Sequence, residues 1–296
     1  MRGRTWQLDR DFARFEHSIS VATPSGPFVI GHQVFHAGNG PALLLMHELP
    51  GLAQPCVDFA GRLIEQGFQV FMPHLIGPLM KEATLANTLR LCISREFARL
   101  KAGVSAPITD WLRDLARHIA DRHGHERIGA IGMCLTGAFV IPLLIERSVQ
   151  AAVASQPSVP FPSLLTLAFG NRFADPQSEG RINIADADLR AADGCSREAG
   201  KALVVQRFTA DRLCPSARVA AFSSAFAGQV ETLEYETSPL RSQSWPPPHA
   251  LLTSEFDRVN PAGLPAPDTD PTQQVLAHLT AFFHRHLHVP VAPQEA

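Results

Sequence analysis

The stretch that most constrains this chain is Ile128-Gly129-Ala130-Ile131-Gly132-Met133-Cys134-Leu135-Thr136-Gly137-Ala138-Phe139-Val140. A short apolar run ends at Gly132-Met133-Cys134-Leu135-Thr136-Gly137, and an apolar helical pattern starts directly after it. That order predicts strand, tight turn, helix. Two backbones approach closely at such a turn, so the positions flanking its tip must be small. Gly132, two before Cys134, and Gly137, three after, meet that need, and Thr136 is itself small. The helix that follows points its first amides at the tip, which favours a thiolate and an oxyanion developing beside it. The pattern is G-x-S-x-G with Cys in the Ser place and the second Gly one residue late. Its plain alternative is a small buried hydrophobe at a strand end.

Apolar runs and turn signals place the other elements around this one. Strands are expected at 17–22, 28–36, 42–46, 68–72, 127–132, 150–155, 202–208 and 230–235. Helices are expected at 57–66, 84–101, 108–122 (Thr109 as N-cap), 135–147 (kinked at Pro142), 216–226 and 272–286. The first eleven residues read as polar and peripheral. Between Gln156 and about Cys195 the pattern lapses amid Pro157, Pro160, Pro162 and Pro176, an excursion that can serve as a lid. Strands alternating with helices predict an α/β fold, a mostly parallel, doubly wound sheet with helices on both faces, in one domain over 1–296.

Composition excludes more than it selects. With 45% hydrophobic and 18% charged residues, the 296-residue chain has apolar mass for a large core. A formal net charge of -2 gives no electrostatic basis for nucleic acid or an anionic membrane. Neither an apolar leader at the N-terminus nor a run long enough to cross a bilayer is visible, so a cytoplasmic location is expected. The five Cys (56, 92, 134, 195 and 214) are scattered and lack C-x-x-C pairs, which suits a reducing compartment and argues against disulfides and a Cys-based zinc site. His278, His284, His286 and His288 lack a carboxylate or Cys at ligand spacing, so neither metal nor cofactor is expected.

Ligands of such sheets bind at the carboxyl ends of the strands. Four reactive side chains fall there: Glu48 after the strand at 42–46, Cys134 after 127–132, Asp211 after 202–208, and His249 in the loop after 230–235. Taken singly, Asp211 could be a turn residue or N-cap, His249 loop surface, and Glu48 a solvated charge. Taken together they follow the chain order nucleophile, acid, histidine.

From about Ala42 to His286 the sequence resembles the dienelactone hydrolase family. Gly132-Met-Cys-Leu-Thr-Gly137 is similar to its G-x-C-x-G-G turn, and His47-Glu-Leu-Pro-Gly-Leu52 to its H-E-x-x-G-L segment. Met72-Pro-His-Leu-Ile-Gly77 resembles its A-P-D-L-Y-G segment, and Asp211 with Pro215 its D-x-x-x-P element. The resemblance implies the α/β-hydrolase fold and a Cys134–His249–Asp211 triad. It further implies Glu48 as an accessory carboxylate near the thiol, and an oxyanion hole from the amides of Leu135 and Leu49. The implied reaction is cleavage of a lactone or small carboxylic ester through a thioester, by a monomer or small homo-oligomer acting on a small molecule. Pro50, His74, Ala138 and Ala250-Leu251 depart from the family pattern. Arg95 is a candidate for a substrate carboxylate by position alone. A binding module of the same fold that has lost turnover, and an acyltransferase using the same triad, are the competing readings.

Overall fold

The computed structural model describes residues 5–22, 26–49, 51–81, 106–158, 180, 182, 184–226, 230–237, 248–256 and 271–288. The expected helix at 84–101 and Arg95 lie outside the described residues, as does most of the excursion after Ser158.

Eight strands form one sheet: β1 (Ala13–Val21), β2 (Phe28–Ala37), β3 (Ala42–Met46), β4 (Gln69–Pro73), β5 (Ile128–Met133), β6 (Val149–Ser155), β7 (Ala202–Phe208) and β8 (Val230–Tyr235). Their spatial order is β1-β2-β4-β3-β5-β6-β7-β8. β1 and β2 form an antiparallel hairpin that joins β4, and every pairing from β4 to β8 is parallel. This is the α/β-hydrolase fold. Among the described residues the helices are α1 (Gln54–Glu65), α2 (Pro107–His123), α3 (Asp186–Ala199), α4 (Ser216–Ala225) and α5 (Pro271–Leu287), besides short turns.

The alternation of β3 shows why both faces are covered. Ala42, Leu44 and Met46 point into one core with Trp111, Leu112 and Leu115 of α2 and Phe222 of α4. Leu43 and Leu45 point into the other, with Phe59 and Leu63 of α1 and Leu279 and Phe283 of α5. A strand buried on both sides has no polar face, hence the unbroken apolar run.

Four expectations need correction. The helix expected over 135–147 is a 3-10 turn, Cys134–Phe139, followed by one α-helical turn, Val140–Leu143. The backbone is crowded at this point: a Cβ on Gly132 would stand 2.2 Å from the Thr136 carbonyl oxygen. Thr109 does not cap α2. Ala106 occupies the cap position and Thr109 Oγ1 donates back to its carbonyl at 2.6 Å. The excursion does not run to Cys195, because α3 starts at Asp186. Its inward face, Leu189, Ala192, Cys195 and Ser196, is built of small residues apart from Leu189, so the apolar signal is weak. Nor is the N-terminus peripheral. Trp6, Leu8 and Phe12 are buried in the α1/α5 core, and the Trp6 indole fills the space where Gly61 lacks a side chain.

Candidate active site

β5 delivers Cys134 to the carboxyl edge of the sheet with φ +52°, a left-handed conformation that costs a residue with a Cβ about 1–2 kcal/mol. Such strain persists where the surroundings over-determine it, and here they do. Behind the tip, Gly132 touches the Thr136 backbone, while Gly137 lies under Pro157, whose Cα would be 2.9 Å from an added Cβ. Thr136 ties the turn inward. Its hydroxyl accepts from the Met133 amide at 2.9 Å and reaches the carbonyls of Met133 (3.0 Å), Met46 (3.1 Å) and His47 (3.3 Å). A second glycine at position 136 could not make that link between the turn and the end of β3. The sequence reading registered Thr136 only as small; its hydroxyl was the signal that it missed.

The acid arrives on a turn after β7. Asp211 is 3% exposed, and its Oδ1 accepts from the amides of Leu213 (2.8 Å) and Cys214 (3.1 Å). Its Oδ2 accepts from Nδ1 of His249 at 2.7 Å. In the neutral imidazole that bond fixes the tautomer, with the proton on Nδ1 and Nε2 as the acceptor. Nε2 is buried and has no hydrogen-bond partner among the described residues, and Cys134 lies close enough to bear on the imidazole by its charge. Burial opposes protonation of His249, yet Asp211 and Cys134 outweigh it and hold the imidazole well above the ordinary histidine range. The His249 loop is secured from behind. Leu251, Leu252 and Phe256 are buried, Leu251 and Phe256 close tight turns with their amides, and Arg62 stacks 4.1 Å over the Phe256 ring. The Ala250-Leu251 departure therefore leaves an apolar anchor beneath the histidine.

Glu48 is not a solvated charge. It is buried at the end of β3, accepts a short hydrogen bond from the Thr253 hydroxyl, and joins burial in pushing the Cys56 thiol upward. Its neighbour His47 is a strut: Nδ1 donates to the Glu48 carbonyl at 2.8 Å and Nε2 accepts from the Leu75 amide at 3.0 Å. Burial lowers His47 to about 4, so it stays neutral in this role. His74, in the Asp place of the family segment, donates from Nε2 to the Gly77 carbonyl at 2.8 Å and closes its own loop. Leu135 is the second residue of the 3-10 turn and Leu49 follows Glu48. Both are buried at the same strand edge, since β3 and β5 are paired neighbours. Among the described residues no three His, Cys, Asp or Glu side chains form a group that could hold a metal, and no helix is long and apolar enough to cross a membrane.

Residues 31–169, slightly less than half of the chain, match the model of the dienelactone hydrolase family. The match includes Glu48 and the Cys134 turn but stops short of Asp211 and His249. A search of curated proteins finds no match. Among solved structures, a Klebsiella pneumoniae protein described provisionally as a dienelactone hydrolase aligns over 93% of this chain and 100% of its own, with TM-score 0.53 and 14% identity. The Pyrococcus furiosus esterase Pf2001 aligns over 95% of each chain, with TM-score 0.54 and 13% identity. Pyrococcus horikoshii acylaminoacyl peptidase aligns over 97% of this chain and 44% of its own, with TM-score 0.51 and 11% identity. At these identities the likeness is one of fold.

Proposed function

We propose that this chain, whose residues 31–169 match the dienelactone hydrolase family, cleaves a lactone or small carboxylic ester by nucleophilic catalysis at Cys134. The observation that carries the reading is the 2.7 Å bond from His249 to Asp211, which leaves the imidazole's second nitrogen for the thiol. His249 takes the thiol proton as sulfur attacks the acyl carbon. The carbonyl electron pair moves to oxygen, where the amides of Leu135 and Leu49 would receive it. Collapse of that intermediate breaks the acyl–oxygen bond, forms a thioester, and returns the proton from His249 to the leaving oxygen. Water, deprotonated by His249, then attacks the thioester; the acid departs and the thiol is restored. Glu48 is the accessory carboxylate of this cycle.

The test is hydrolysis of a small activated aryl ester by wild type and Cys134→Ala across pH. Wild-type turnover that falls by at least about 10⁴-fold in the variant supports the reading. Equal rates in the two proteins would remove Cys134 from the mechanism. No turnover in either, with both folded, would favour a binding module of the same fold.

A further inference from the structure

Arg207 is a charged residue near the end of a buried strand, in the run Ala-Leu-Val-Val-Gln-Arg-Phe of β7. Its side chain is 7% exposed, and almost every donor of its guanidinium has a partner. Nε donates to Glu234, its register partner on β8, at 2.6 Å. Nη1 donates to the carbonyls of Cys214 (2.7 Å) and Asp211 (3.3 Å), and Nη2 to that of Thr209 (3.3 Å). These carbonyls lie along the turn whose other contacts are the Asp211 carboxylate's own bonds to Leu213 and Cys214. One rigid fork thus meets the turn at its start, at the acid and at its end, which a single ammonium could not do.

We infer that Arg207 is a positioning residue of the triad, holding by its guanidinium the backbone turn from which Asp211 reaches His249. The inference rests on the proposed use of Asp211 and His249. The carboxylate can orient an imidazole 38 residues away only if its own backbone is fixed, and β7 ends three residues before it. Arg207 acts through that backbone rather than on the histidine: the charges that govern His249 are Asp211 and Cys134. Glu234, 42% exposed on its side chain, anchors the outer edge of the guanidinium. From α4, Arg218 also bears electrostatically on Cys214, at the end of the turn.

The sign of one measurement separates this role from a merely electrostatic one. Loss of a nearby cation by itself would raise the titration midpoint of His249. Loss of a well-placed Asp211 lowers it. The experiment follows the His249 imidazole by NMR in the full chain labelled at histidine, assigned with His249→Asn, alongside the pH profile of aryl-ester hydrolysis. Arg207→Met is expected to lower the midpoint by about one unit and kcat about tenfold, with KM within about twofold. Arg207→Lys is expected to fall between wild type and Arg207→Met. Glu234→Gln should lower the midpoint by about 0.3 unit. A folded Arg207→Met protein whose midpoint is unchanged or raised overturns the inference. Should Arg207→Met fail to fold, Arg207→Lys decides by the same criterion. If wild type hydrolyses no ester, the proposed reaction falls, while the His249 midpoint still decides the role of Arg207.

Discussion

The two halves of the candidate site are built in opposite ways. The nucleophile half is local: Gly132, Cys134, Thr136 and Gly137 span six residues, and close backbone packing holds the thiol at its positive φ. The acid–base half is assembled over distance. Asp211 and His249 are 38 residues apart, Glu48 and Thr253 are 205 apart, and side-chain hydrogen bonds join them. Close backbone packing, pinned by the Thr136 hydroxyl, holds the first half, whereas the second depends on side-chain hydrogen bonds throughout.

The largest effect that tests this contrast is Asp211→Asn. It keeps the volume of the carboxylate but can stabilise the wrong imidazole tautomer, and should lower kcat by about 10³–10⁴-fold while leaving the Cys134 turn unaltered. Single-turnover kinetics with a circular dichroism control reads it. Breaking the other half needs no chemistry. Gly132→Ala drives a methyl group into backbone, not a movable side chain, and should cost about 3 kcal/mol in urea denaturation, with loss of activity.

A third outcome concerns the strut that links the halves. His47 sits at about 4 in the folded protein against an ordinary value of 6.5, so below 6.5 the unfolded chain binds the extra proton. Stability should therefore fall as pH drops from 6.5 to about 4, by about 3 kcal/mol in total, and stay level below that. His47→Gln removes this slope in a pH series of melts. His249 contributes with the opposite sign. Its raised value stabilises the fold below about 6.5, and that contribution is lost as pH rises through its folded value. The smallest effect expected is that of Thr253→Val. Glu48 loses one short hydrogen bond, and activity should drop about fivefold, with stability down by about 1 kcal/mol.

This division also decides what could be read from the sequence. Steric rules act between near neighbours in the chain, so the Cys134 turn announced itself as Gly, Cys and Gly at fixed spacing. β8 was placed to the residue, and β3, doubly buried, was plain from its apolar run. Asp211 and His249 could be placed only by their order after strands, because nothing local marks an acid that serves a base 38 residues on. Thr253 and Arg207 gave no pattern at all. Their partners are two carboxylates, Glu48 and Glu234, and the carbonyls of a turn that folds back on the strand, though an Arg inside an apolar strand is itself a sign that such partners must exist. α3 does have a helical period, Leu189, Ala192, Cys195 and Ser196, but its residues are mostly small and the signal is faint.

The C-terminal helix has a consequence for the order in which the protein comes into being. β5, β6, β7 and β8 are laid side by side in the order of their synthesis, yet α5 comes back to the middle of the sheet. Phe283 fills the hollow over Gly129, on the very strand that carries Cys134. A nascent chain that has finished the Cys134 turn still lacks His249 and the helix that covers the strand beneath it. The core around the Cys134 turn is therefore closed only after residue 287 has been made, long after the turn itself.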